Sequence, residues 1–221
     1  MPSVPPLISR PISTLELAPG SLVTLRHITW PEFELLLADL GDTRPTRIAY
    51  SQETFEIMAP LPKHERAIVL IVDLVKTLLR VQQRPWESLR STTFKREGVA
   101  GVEPDDCFYI QNYRAVIGKD RIDLAIDPPP DLAIESDLTS RTRLASYVDL
   151  QVPELWIYAA DRLKIYCLNG DRYLESSTSP TFPDLALAEV IPYFVERASE
   201  IGTSEALLEF ERSLTPPWGD T

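Results

Sequence analysis

The stretch Pro129-Pro130-Asp131-Leu132-Ala133-Ile134-Glu135-Ser136-Asp137 is a short apolar run that opens after two prolines and closes on acids. Bounded in this way, a run of this length reads as a buried strand. Upstream, Val102-Glu103-Pro104-Asp105-Asp106-Cys107-Phe108-Tyr109-Ile110 has the same character, with its acids at the start instead of the end. If the two strands pair, the carboxylates of Asp105 and Glu135 converge at one sheet edge. Two such groups suit a hard divalent cation, Mg²⁺ or Mn²⁺, which needs only one or two carboxylates beside water and phosphate oxygens. A cation held there can polarise a phosphodiester and activate water. Asp137 shares the face of Glu135 while the strand continues. A nuclease of this layout calls for lysine at that position; aspartate can add a metal ligand or an acceptor instead.

Working outward, Thr139-Ser140 can cap a short helix carrying Leu144, Tyr147 and Val148. Val152-Pro153-Glu154 then leads into the strand Leu155-Trp156-Ile157-Tyr158, and a hairpin follows around Asn169-Gly170-Asp171. Toward the N-terminus, His64 to Gln82 carries apolar residues at helical spacing on a face wide enough to be central to the core. A strand is expected over 89–94, with a turn at 96–101. Residues 47–58 read as a hairpin in which Phe55 and Glu56 fall on opposite faces. Thr29-Trp30-Pro31-Glu32 is a capping box opening a helix that runs to about Leu40. A further strand at 121–126 and one amphipathic helix over 192–213 complete the order. The expected fold is mixed α/β, a mixed β-sheet flanked by helices. Residues 1–28 are expected to form an N-terminal arm, and 29–221 a single domain ending in an acidic helix.

The 221 residues carry a net charge of -11, an awkward balance for a partner rich in phosphate. The charge is uneven. Asp184 to Thr221 holds eight acids against two bases, which supplies -6 of the total. Lys63 to Arg96 holds eight bases against three acids, which forms either a basic stripe or a solvated helix face. Two cysteines and two histidines, with no Cys-x-x-Cys, argue against a disulfide framework or a zinc site. No run is long and apolar enough for a membrane span, and the start lacks the pattern of a secretory signal. A cytoplasmic protein without membrane contact is expected.

The series Pro129-Pro130-Asp131-Leu132-Ala133-Ile134-Glu135, Thr139-Ser140, Tyr147 and Val152-Pro153-Glu154-Leu155-Trp156 resembles the Uma-type restriction endonucleases of the PD-(D/E)XK nuclease superfamily. Pro60-Leu61-Pro62-Lys63-His64 is similar to the family's approach to its first core helix. The resemblance implies a restriction-endonuclease-like fold, a Mg²⁺-type site at a sheet edge, DNA as partner and a homodimer. It matches Asp105 and Glu135 to the family's two acidic positions. It also sets Arg143 where the family places a lysine four residues before the tyrosine. Arginine can hold a phosphate bidentately but does not transfer protons near neutral pH. Asp123 competes with Asp105 as the first metal carboxylate. Glu65, on the long helix, is a weaker auxiliary acid, and Glu56 is similar. The sequence thus points to a metal-dependent endonuclease using Asp105, Glu135 and Arg143, with Asp137 as a further ligand. Its rival is a nuclease-fold binding module without catalysis, and a third reading is self-association through the acidic C-terminal helix.

Overall fold

In the computed structural model the described residues are 11–41, 43–136, 138 and 140–214, with the side chains at 62–64 excepted. Strand β1 (Leu22–Arg26) is followed by helix α1 (Trp30–Leu40), where the Glu32 carboxylate accepts the backbone N–H of Thr29 at 2.8 Å and closes the first turn. The hairpin β2 (Arg47–Ser51) and β3 (Thr54–Met58) follows, then the long helix α2 (Pro62–Val81). Four short strands come next: β4 (Glu87–Ser88), β5 (Phe94–Arg96), β6 (Ala100–Val102) and β7 (Asp106–Tyr109). The remaining elements are β8 (Leu132–Ser136), α3 (Arg141–Asp149), β9 (Glu154–Ala159), β10 (Arg162–Asn169), β11 (Arg172–Ser176), α4 (Leu187–Ile201) and α5 (Thr203–Leu214).

These strands form two sheets. One is antiparallel, in the order β1-β3-β2-β6-β5. The other runs β11-β10-β9-β8-β7-β4 and is mixed, because β8 and β9 are parallel. A parallel neighbour cannot be reached by a tight turn, and α3 supplies the crossover. Side-chain alternation along the mixed sheet then sorts its residues onto two faces. Phe108, Ile134 and Trp156 pack on α2, α4 and α5. Their neighbours Cys107, Ala133 and Leu155 point the other way, into a layer shared with Tyr147 and Leu150 of α3 and with Phe94, Ala100 and Val102 of the first sheet. Helix α3 is tied to β2 by polar contacts as well. Ser146 Oγ donates to the Tyr50 carbonyl at 3.0 Å, and Ser51 Oγ to Asp149 at 2.7 Å. Gly101 lets α1 close over the first sheet. A Cβ there would stand 2.8 Å from the ring of Phe33, which stacks on Tyr50 at 4.5 Å.

Four expectations change. The segment through residue 28 is not all arm, since β1 pairs with β3 along its whole length and forms the edge strand of the first sheet. Most of the strand expected over 89–94 is instead a turn, in which Arg90 takes a positive φ of 51°; it links β4, which ends at Ser88 in one sheet, to β5, which starts at Phe94 in the other. Residues 121–126 form turns, because Asp123 Oδ1 accepts the Ala125 N–H and Asp127 Oδ2 the Asp123 N–H, satisfying the backbone locally. The C-terminal helix is two helices. Gly202, with φ at 90°, ends α4, and Arg197 on α4 clasps Glu209 on α5 with two bonds of 2.9 Å. No described helix is long and apolar enough to cross a membrane.

Candidate active site

The antiparallel ladder between β7 and β8 pairs Asp106 with Ile134, so one residue further Asp105 faces Glu135. Asp105 is fixed there by the far strand. Its Oδ2 accepts the Ser136 N–H at 2.8 Å and the Ser136 hydroxyl at 2.6 Å. Glu135 lies on the same face of β8 as Ala133, toward α3, and is 1% exposed. Two side chains one turn apart on α3 meet it. Arg143 Nε donates to Glu135 Oε1 at 2.8 Å, and the Tyr147 hydroxyl donates to the same oxygen. A second arm of the Arg143 guanidinium reaches the Glu103 carbonyl at 2.6 Å. The N-cap of α3 sets this register: Ser140 Oγ accepts the Arg143 N–H at 3.1 Å and donates to Glu56.

Arg143 is therefore spent largely on holding Glu135, at 5% side-chain exposure, and does not stand free above the sheet edge. Burial drives the Glu135 carboxyl up to about 7, against the pull of Arg143. Burial also raises the Tyr147 phenol well above its usual range, so it stays a donor. With a folded pKa above the unfolded 4.5, Glu135 binds more protons when folded. Its stabilising contribution is present below pH 4.5 and is lost as pH rises through about 7. Urea midpoints measured in EDTA are expected to decline across that window more steeply in the native chain than in Glu135→Gln. Parallel pH profiles would count against the assignment.

Of the other expected site residues, Asp123 lies on the connection between β7 and β8, at the opposite end of these strands from Asp105 and Glu135, where it serves its own turn. Glu65 is exposed on the first turn of α2. Asp137 lies outside the described residues. Glu56 is buried and joins the N-cap of α3 to the first sheet. Ser136, which fixes Asp105, and Tyr147, which donates to Glu135, were not among the expected site residues. The spacing of Tyr147 four residues after Arg143 was the available signal, since it puts both on one helix face. Four of the cations of 63–96 are engaged by other parts of the chain. Arg80 bonds Glu211, Arg84 the Thr181 carbonyl, Lys95 Glu34 and Arg96 the Asp149 carbonyl.

Two clefts meet at Ser136. One, of about 230 Å³, lies between the first sheet and α3 and reaches Arg143. The other, of about 750 Å³, lies between α2, the end of β9 and α4. No group of three or more His, Cys, Asp or Glu side chains placed to hold a metal ion occurs among the described residues. The facing pair Asp105 and Glu135 nonetheless offers hard oxygen donors of the kind that a hydrated magnesium ion accepts in ones or twos.

The family model described as "Putative restriction endonuclease", Uma2, matches residues 30–199. The chain belongs to the Uma2 family. Comparison with curated proteins gives no match. Among solved structures, the Uma2 chain is similar to a "putative nuclease belonging to DUF820" from Anabaena variabilis. The two share 17% identity at a TM-score of 0.50, over 81% of this chain and 99% of the other. That likeness supports the mixed α/β architecture. The Uma2 match covers α1 through most of α4, so it takes in every strand after β1 and every residue around Glu135.

Proposed function

We propose that this protein is a metal-dependent DNA endonuclease that hydrolyses phosphodiester bonds at the edge formed by β7 and β8. The observation that carries the reading is the facing of Asp105 and Glu135 across that ladder, beside two clefts that meet at Ser136. Asp105 and Glu135 would hold Mg²⁺ or Mn²⁺, which supplies Lewis-acid polarisation of the phosphate and a more acidic bound water. Ser136 orients the Asp105 carboxylate by two hydrogen bonds to Oδ2. Arg143 and Tyr147 both bind Oε1 of Glu135, which fixes the carboxylate. Arg143 contributes fixed positive charge and no proton transfer.

Asp105→Asn is the cleaner test, because an asparagine oxygen can still accept both Ser136 bonds while the carboxylate charge is lost. Relaxation of supercoiled plasmid with Mn²⁺ is expected to fall by about a hundredfold or more in this variant. Equal cleavage by the variant and the native chain, each purified free of contaminating nuclease, would overturn the assignment.

A second reading is a nuclease-fold module that binds without cleaving. It is favoured by the mutual neutralisation of Glu135 and Arg143 in the core. Calorimetry with Mn²⁺ separates the readings: Asp105-dependent binding supports the enzyme, and its absence supports the module.

A further inference from the structure

The cleft between the first sheet and α3 contains a cation that the scheme above does not use. Arg47 opens β2, and Ala49 lies two residues on, on the same face. Across the ladder these residues pair with Met58 and Glu56, which lie beside them on the same face of the sheet. Arg47, Ala49, Glu56, Met58, Ser136 and Arg143 all line the cleft. The cations here differ in their commitments. Arg143 is paired with Glu135. Arg44, three residues before Arg47, is held by Glu103 and the Gly41 carbonyl. Arg47 Nε is buried without an acceptor among the described residues, and no described carboxylate forms an ion pair with its guanidinium. Glu56, the acid closest in register, gives its carboxylate to Ser140. Among the described residues Arg47 thus presents a guanidinium with no carboxylate partner, in a wall otherwise rich in apolar groups. Low polarity strengthens an ionic hydrogen bond, and the planar fork matches the oxygens of a phosphate.

We infer that Arg47 is the phosphate-binding residue of this cleft, holding a phosphodiester of a DNA strand next to the Asp105 and Glu135 edge. The inference rests on the nuclease reading for the identity of the strand. It adds the group that anchors that strand, a part the sequence assigned to Arg143. Ser136 lines both clefts, and in this scheme the strand held by Arg47 runs past Ser136 toward the larger one. Arg47 is a positioning residue in this scheme. Its removal acts first on binding.

The test is fluorescence anisotropy of a labelled DNA duplex of about 20 base pairs against the full chain, with Ca²⁺ as the divalent ion, over a series of salt concentrations. Arg47→Ala is expected to weaken binding about tenfold and to lower the salt slope by about one. Arg47→Lys should recover part of the affinity, because it restores charge without the fork. Arg47→Gln keeps most of the stem and substitutes for the alanine variant if that variant loses its circular dichroism signature. Equal affinity and slope in native and variant chains would overturn the inference. So would a native chain that binds inorganic phosphate through Arg47 but no DNA. The outcomes separate from those of the nuclease proposal. Arg47-dependent DNA binding with no cleavage in any metal supports this inference and removes the enzyme. Asp105-dependent cleavage with Arg47-independent binding does the reverse.

Discussion

Replacing Arg143 with methionine is expected to destabilise the fold by about 3–5 kcal/mol, because it leaves one half of a buried ion pair behind. Glu135 is 1% exposed and Arg143 5%, so water cannot take over the role of the lost partner. Methionine fills much of the aliphatic volume but offers no donor to Glu135 Oε1 or to the Glu103 carbonyl. Tyr147 remains as a donor to Glu135, and the carboxyl, already raised by burial, is driven further toward its neutral form. The loss should shrink when the partner is neutralised too. The double variant Arg143→Met/Glu135→Gln should be more stable than the sum of the single losses by roughly 0.5–3 kcal/mol. Urea denaturation of the four proteins measures all of these quantities. An Arg143→Met loss below about 1 kcal/mol would show that the pair is not a structural linchpin. Any effect of Arg143 on DNA cleavage must then be read against this stability, which is why Asp105 is the sharper probe of chemistry.

Glu154→Ala is expected to cost roughly 3 kcal/mol, through donors that lose their acceptor in the core. Glu154 starts β9 and is 2% exposed. Its Oε1 accepts the Trp156 indole N–H at 2.6 Å, while Oε2 accepts the Thr181 N–H at 3.1 Å and the Thr181 hydroxyl at 2.6 Å. Alanine leaves the indole and the Thr181 amide without this acceptor, in the layer where Trp156 meets Phe182 at a centroid distance of 6.1 Å. Glutamine should be nearly as costly, because its amide nitrogen would oppose a Thr181 donor. Urea midpoints combined with near-ultraviolet circular dichroism of the tryptophans provide the check. Unchanged midpoints in Glu154→Ala would remove it from the framework of the fold.

These two residues also mark how far the sequence could be read. Glu154 was identifiable as a residue fixing the entry to the strand, because Val152-Pro153-Glu154 stands at a helix-to-strand junction. Its actual role, holding the loop at Thr181 from 27 positions away, depends on a contact that no local pattern encodes. The helix from Trp30 to Leu40 was legible for the opposite reason, since its capping box and apolar spacing are complete within the segment. The single strand expected over 89–94 failed because apolar content says nothing about which of two sheets a residue joins. A positive φ at Arg90 turns the chain from one sheet to the other. The C-terminal helix kept its amphipathic pattern through Gly202, and only the packing of Arg197 on Glu209 shows where the chain reverses.

At the candidate site the division follows the same physics. The sequence by itself determined which groups stand at strand ends: Asp105 before one apolar run, Glu135 at the close of another, and Arg143 and Tyr147 one helical turn apart. Strand period and helix period are properties of the backbone, so those placements follow from spacing alone. The tertiary structure alone decided what each group does. The antiparallel register sets Asp105 opposite Glu135. The crossover helix turns Arg143 inward, where a charge taken from water must find an opposite charge, and Glu135 supplies it. That pairing consumes the cation the sequence had offered to a phosphate, and leaves Arg47, on a strand distant in sequence, as the cleft guanidinium without a carboxylate partner among the described residues.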